Sequence, residues 1–177
     1  MTSNTFYKII NTEDKWYKAF RDIYNMSFPI FEQRSDKQQQ TAFNSPNYNL
    51  QALVEDEKLL SFISYWDFED YIYIEHLAVN PAYRGQNIGS STLNLFAREK
   101  EKCILLEIDP LIDQISKDRL RFYSHLGYKP NMYKHLHPAY NLAYPPHELV
   151  VLSLYKTLSE EQYKQFCSDL VNIVMAD

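Results

Sequence analysis

The chain has little glycine: three residues among 177, at Gly85, Gly89 and Gly127. An average sequence of this length would carry about 12. Two of the three fall within one short segment, so the backbone there has a specific demand. Cysteine is also scarce. Cys103 and Cys167 lie far apart and match no zinc spacing, which leaves a reduced protein, expected in the cytoplasm, as the simple reading. No apolar run approaches the length of a membrane span; Cys103–Leu106 and Leu149–Leu154 are strand-sized. Met1–Lys15 lacks an apolar core of signal-peptide length. Positive charge is in deficit, 18 Lys and Arg against 23 Asp and Glu, a net −5. That balance argues against a general nucleic-acid or anionic-membrane binder and mildly favours cationic partners. Hydrophobic residues at 45% and charged residues at 23% exclude disorder and coiled coil.

What is present reads as a single domain over 1–177 with a mixed α/β sheet, since no repeat, linker or low-complexity tract divides it. Phe6–Ile10 is expected as a first strand. Asn11 and Thr12 are expected to cap a helix that buries Trp16, Phe20 and Ile23 and stops near Pro29. The Gln-rich stretch Ile30–Phe43 reads as a weaker helix. Strand signals follow at Asn47–Val54, Leu59–Phe68 and Tyr71–Val79. Arg84–Ser91 opens a helix to about Lys102, and Cys103–Ile108 is a buried-strand pattern interrupted by Glu107. Ile115, Phe122 and Leu126 set the face of another helix, ended by Gly127. Leu149–Tyr155 is a late strand, and a capping box at Ser159–Gln162 starts a C-terminal helix, 159–174, with a stripe from Tyr163 through Phe166, Cys167, Leu170 and Val171 to Val174. The order predicts a mostly antiparallel sheet followed by a strand–helix–strand crossover.

The segment carrying chemistry runs Leu77-Ala-Val-Asn-Pro-Ala-Tyr-Arg84-Gly85-Gln86-Asn87-Ile88-Gly89-Ser90. A loop entering a helix leaves backbone N–H groups without partners, and with the helix dipole these make an anion site. Arg84 adds a positive charge. No Gly-Lys-Ser/Thr follows, which excludes a Walker loop, and Gly-x-Gly-x-x-Gly is absent, which excludes a dinucleotide fingerprint.

Arg84-x-x-Asn87-x-Gly89 resembles the acetyl-CoA loop of the GNAT acetyltransferase superfamily, whose pattern is Arg/Gln-x-x-Gly-x-Gly/Ala. Further on, Arg121-Phe122-Tyr123-Ser124-His125-Leu126-Gly127-Tyr128 is similar to that family's Phe-Tyr-x-x-x-Gly-Phe/Tyr helix end. The departure is Asn87, which stands where the family usually has its middle glycine; asparagine tolerates a left-handed backbone better than most residues. The resemblance implies a GNAT-like α/β fold and direct acetyl transfer from acetyl-CoA to the primary amine of a small molecule or peptide, with no metal. The cosubstrate would lie along Leu77, Ala78, Val79, Arg84, Gly85, Gln86, Asn87, Ile88, Gly89 and Ser90. A backbone N–H of Leu77–Val79 would polarise the thioester carbonyl, and Tyr123 would protonate the leaving thiolate.

An ammonium must lose a proton before it attacks, and Glu75, on the strand before the loop, is the expected base. Glu107 needs a partner in a buried strand, which a substrate amine, Arg119 or Arg121 could supply. Between the last two strands lies Tyr133–Glu148, with His135, His137, Tyr140 and His147, expected as a loop on the acceptor side in which His137 and Tyr140 touch substrate. Its histidines could instead hold a metal, a weaker reading than a polar aromatic loop. A non-catalytic acyl-CoA-binding module and an interaction protein on the same fold are the alternatives. Oligomeric state is left open, a homodimer included.

Overall fold

A computed structural model describes residues 5–177. An eight-stranded sheet runs in the order β1-β2-β3-β4-β5-β8-β6, with β7 paired to β8 off this path. The strands are β1 Thr5–Ile9, β2 Tyr48–Glu55, β3 Lys58–Asp67, β4 Tyr71–Val79, β5 Cys103–Ile108, β6 Tyr128–Pro130, β7 His135–His137 and β8 His147–Leu154. β1 to β4 form an antiparallel meander, and β4 and β5 are parallel, joined by the crossover helix α3, Ile88–Lys100. This is the mixed sheet flanked by helices expected from the sequence.

Two cores form because β-strand side chains alternate between faces. On one face, Phe20, Ile23 and Tyr24 of α1 (Tyr17–Ser27), Ala42 of α2 (Asp36–Phe43) and Phe166 of α5 (Glu160–Asp169) pack on Phe62, Trp66, Tyr71 and Tyr73. On the other, Leu93 and Phe96 of α3 pack on Ile63, Tyr65, Ile72, Ile74 and Ile104, with Phe122 and Tyr123 of α4 (Gln114–His125) alongside. The Thr92 and Ser61 hydroxyls share a buried hydrogen bond of 2.7 Å that pins α3 to β3.

Several local expectations need correction. Asn11 caps a turn rather than α1: its side chain accepts from the Glu13 N–H, and Asp14 accepts from the Trp16 N–H, so the helix begins at Tyr17. Ile30–Phe43 is not one helix. A 3₁₀ turn, Ile30–Glu32, gives way to extended backbone, and a reciprocal capping box between Ser35 and Gln38 restarts the chain as α2. Arg34 sits in the break. Ile115 faces solvent at 71% exposure, since α4 turns Ser116, Leu120, Phe122 and Tyr123 inward instead. Val171 leaves the stripe of the last helix because a π-helix, Leu170–Val174, follows α5 and rotates it outward. The expected loop Tyr133–Glu148 contains β7 and the start of β8, strands too short to announce themselves by alternation. Among the described residues no helix is long and apolar enough to cross a membrane.

Gly127 shows why this chain keeps a glycine where it does. Its φ is +95°, and a Cβ there would lie 2.8 Å from the Tyr155 ring. Its carbonyl accepts the Tyr155 N–H at 2.7 Å, locking the end of α4 to the end of β8. Gly127→Ala should therefore destabilise the fold by about 1–3 kcal/mol. Urea denaturation monitored by tryptophan fluorescence measures it, and an unchanged midpoint would contradict the packing described.

Candidate functional site

β4 and β5 pair over only three residues, Tyr71–Tyr73 with Cys103–Leu105, and then part. β4 goes on with β3, while β5 goes on with β8. The gap opens a cleft of about 550 Å³ lined by both strands, α4, the 3₁₀ turn after α1 and the β7–β8 region.

A β-bulge on β4 shapes its wall. Opposite Ser64 and Tyr65, the register steps from His76 to Ile74 and leaves Glu75 as the extra residue. Glu75 and His76 consequently both turn to the α1–α2 side, where His76 packs on Tyr24 and Phe28 and Glu75 meets Arg34. The bulge also sets the direction of the backbone beyond it. The N–H of His76 is donated to Ser64 Oγ, and that of Asn80 to the Leu60 carbonyl, both toward β3. By alternation, the N–H groups of Leu77 and Val79 point the other way, into the cleft.

The two expected carboxylates stand on opposite walls. The Glu75 side chain is wholly buried. Its Oε1 accepts from Arg34 Nε and from the Tyr140 hydroxyl, and its Oε2 from Trp66 Nε1, each at 2.8 Å. Burial opposes ionisation, but Arg34, His76 and the bonds from Trp66 and Tyr140 outweigh it and hold the carboxyl at about 2. Arg34 lies between the rings of Trp66 and Tyr140 and donates onward to the Val174 carbonyl at 2.7 Å. Glu107, on β5, accepts from the Tyr73 hydroxyl and from His135 Nε2, and His137 Nε2 stands 4.0 Å away. Here too burial raises the carboxyl, but His137, His135 and Tyr73 together keep it below its usual range. The arginines that sequence reasoning offered to Glu107 go elsewhere, Arg119 to Asp109 and Arg121 to Asp118.

Tyr123 lines the same cleft from α4, packed edge-on against Phe122 and Tyr128. Burial pushes its phenol up to about 12, so it is protonated at neutral pH. The loop from Arg84 to Asn87 is exposed at the mouth. Gly85 has φ +80°, and Asn87 adopts the left-handed conformation at φ +59°, as expected of an asparagine in a glycine position. Asn87 makes no side-chain cap and no acidic residue occupies the first turn of α3, so the N–H groups of Ile88, Gly89 and Ser90 are open to an anion. Gly89 packs against Val79 and Phe122, which would stand 3.5 Å from an added Cβ. Leu77, Ala78, Val79, Arg84, Glu75, Glu107, Tyr123, His137 and Tyr140 thus line one cleft, with the start of α3 beside it.

Sequence reasoning missed Arg34, which carries no motif and falls in a Gln-rich stretch, and the partners Tyr73 and His76; it named His135 in the loop but not as the partner of Glu107. Phe31 was equally unmarked; it forms an aromatic rim with Tyr144 and His147, whose ring centroids lie 5.9 and 5.4 Å from it. Among the described residues no group of three or more His, Cys, Asp or Glu side chains is placed to hold a metal.

The Glu75–Arg34 pair makes acid sensitivity predictable. A carboxyl held at about 2 against an ordinary 4.5 contributes its full stability above about pH 4.5 and loses it as pH falls toward 2. The size is about 3 kcal/mol. Glu75→Gln should remove that pH dependence and, by leaving a buried guanidinium unpaired, destabilise at neutral pH by about 3–5 kcal/mol. Thermal melts of both proteins between pH 7 and 3 test this; parallel curves would show that the pair is not the acid-sensitive element.

Comparison with known proteins agrees with the fold. The model of the acetyltransferase (GNAT) family matches residues 14–128. YjbC of Bacillus subtilis (strain 168), an acetyltransferase by name, is 28% identical over 118 residues. That stretch covers 64% of this chain and 56% of YjbC, little more than half of the relative. A GNAT-family acetyltransferase by designation from Bacteroides thetaiotaomicron superposes with a TM-score of 0.90 at 24% identity, over 98% of this chain and 99% of the other. Arabidopsis thaliana Naa50, solved in complex with the bisubstrate analogue CoA-Ac-MVNAL, gives 0.60 at 19% identity, covering 86% of this chain and 98% of the other. With its family model matched across most of its length, its sheet splayed at β4–β5 and a left-handed loop opening α3, this chain belongs to the GNAT acetyltransferase family.

Proposed function

We propose that the protein is an N-acetyltransferase that moves an acetyl group from acetyl-CoA directly to a primary amine. The observation that carries this reading is one cleft holding two inward strand N–H groups and the half-buried Tyr123 phenol, with an uncapped helix start beside it. The solved Naa50 complex, which holds a CoA-containing analogue on a similar fold, supports the same cosubstrate.

When bound, acetyl-CoA supplies an activated thioester. The open N–H groups of Ile88, Gly89 and Ser90, with Arg84 nearby, receive its pyrophosphate. The N–H groups of Leu77 and Val79 hydrogen-bond the carbonyl oxygen as negative charge develops there. Tyr123 gives its proton to the departing sulfur. The amine enters from the side of Phe31, Tyr144 and His147, where Glu32 and Glu107 favour a cation. Glu75, expected from sequence to take the amine's proton, has another part in this reading. With its carboxyl at about 2 and three donors on its oxygens, it is a weak base at neutral pH, and it serves to hold Tyr140 and Arg34 in the wall.

Two outcomes test the proposal. Coenzyme A at about 100 times its dissociation constant should stabilise the protein by about 2.7 kcal/mol, a rise in Tm of roughly 5–10 °C. Gly89→Ala, whose Cβ meets only ordinary contacts, should keep much of that rise, and Gly89→Val, whose branches run into Val79 and Phe122, should lose it. An equal rise in all three would place the pyrophosphate elsewhere. In the second, acetyl-CoA turnover is followed as thiol release with a polyamine, an aminoglycoside and a peptide with a free amino terminus. The parent should turn over at least one of them. Tyr123→Phe should bind coenzyme A normally and lose on the order of 10²-fold in kcat. Binding without turnover on any amine would favour the non-catalytic module.

A further inference from the structure

We propose that His137 Nε2 is the group that takes the proton from the acceptor amine, with Glu107 as its counter-charge. This rests on the acetyltransferase reading above and concerns how the amine is activated within it.

The inference follows from where the lone pairs of the cleft are free. His137 Nδ1 lies 2.7 Å from the Pro138 carbonyl oxygen, an acceptor only, so Nδ1 carries the proton and donates it there. In the neutral ring Nε2 is then bare. It faces Glu107 Oε1 across 4.0 Å, too far for a hydrogen bond between them. An ammonium drawn to Glu107 would find an acceptor on either side of it.

The other bases of the cleft are either committed to partners or, for the free nitrogens of His76 and His147, weakened chiefly by burial. Glu75 has three donors on its two oxygens. Glu107 already receives Tyr73 and His135. His135 has both nitrogens engaged, Nε2 with Glu107 and Nδ1 with the Tyr163 hydroxyl at 2.9 Å. His76 Nε2 is tied to the Glu32 carbonyl, and the ring is held below its usual range chiefly by burial. His147 Nε2 is buried without a partner, but burial and His137 lower its basicity.

The charged and titratable groups facing His137 come from each neighbouring element: Glu107 of β5, His76 of β4 with Glu75 and Arg34 behind it, His147 of β8, and Tyr140. Glu107 alone both faces Nε2 directly and bears a negative charge without a cationic side chain of Arg or Lys against it. It therefore stands as the counter-charge beside the nitrogen that takes the proton.

The proton count closes. The ammonium gives one proton to His137 Nε2, which later releases it to solvent. The freed nitrogen lone pair forms the C–N bond as the C–S bond breaks and its electron pair goes to sulfur. Sulfur takes the proton of Tyr123, and the second proton lost from nitrogen restores that phenol through solvent.

His137→Asn is the discriminating variant, since its amide keeps a donor for the Pro138 carbonyl but has nothing to accept a proton. Thiol release is measured between pH 5.5 and 10 with the amine that the parent uses best. His137→Asn should lose on the order of 10²-fold in kcat/KM at neutral pH. It should also lose the limb of the pH profile that belongs to an imidazole, keeping only the rise caused by the amine's own deprotonation. Its Tm rise with coenzyme A should match the parent's. A parental profile in His137→Asn would overturn the assignment while leaving the acetyltransferase reading intact; a parent inactive on every amine would overturn that reading itself. A second measurement needs no turnover and is unaffected by a variant that folds poorly. Nitrogen NMR of the histidine-labelled parent should show neutral His137 as the Nδ1–H tautomer, and the Nε2–H tautomer would sink the proposal.

Discussion

The buried pair of Arg34 and Glu75 is the constraint on which the site depends. Each charge would be costly alone in the interior, and each is retained because the other neutralises it. The guanidinium reaches three separate parts of the chain: the bulge of β4, the carbonyl of Val174 and the ring of Tyr140. Glu75 in turn fixes Trp66 and Tyr140. Tyr140 is held at both ends, because its carbonyl accepts from Gln38 of α2 at 2.7 Å. This wall of the cleft is thus built on a fixed charge pair rather than on loop packing alone.

The bulge at Glu75 links that pair to chemistry. One extra residue in β4 turns two consecutive side chains to the same face and, by the same half-step, aims the Leu77 and Val79 amides at the cleft. The three-residue pairing of β4 with β5 then leaves those amides uncovered. Side-chain placement and the direction of the exposed amides therefore share one backbone irregularity, a common use of bulges beside functional sites.

The order of elements was legible because long strands and helices carry their period openly. Tyr71–Val79 and Cys103–Ile108 are found with the bounds read from sequence. The Arg84–Gly89 loop was legible because glycine is so rare here that its placement is informative, and the left-handed Asn87 follows from residue type. Short pieces were not. β7 has three residues, too few for alternation to show, yet it delivers His135 and His137 to Glu107. Arg34 was invisible because its meaning is its partner, 41 residues away. Glu75 was picked out for its position beside the loop, but the donors that occupy its oxygens come from elements no local pattern connects to it.

The contact between Arg34 and the Val174 carbonyl has a kinetic side. The π-helix that presents this carbonyl packs on the sheet through Leu170 and Val174. When that segment lifts from the core, the guanidinium loses an acceptor that only solvent can replace, so lifting carries an electrostatic cost besides the apolar one. Amide exchange in residues 160–175 should then be slowed by the same charge pair that orders Tyr140, and the far helix and the Tyr140 wall of the cleft would open as one cooperative unit.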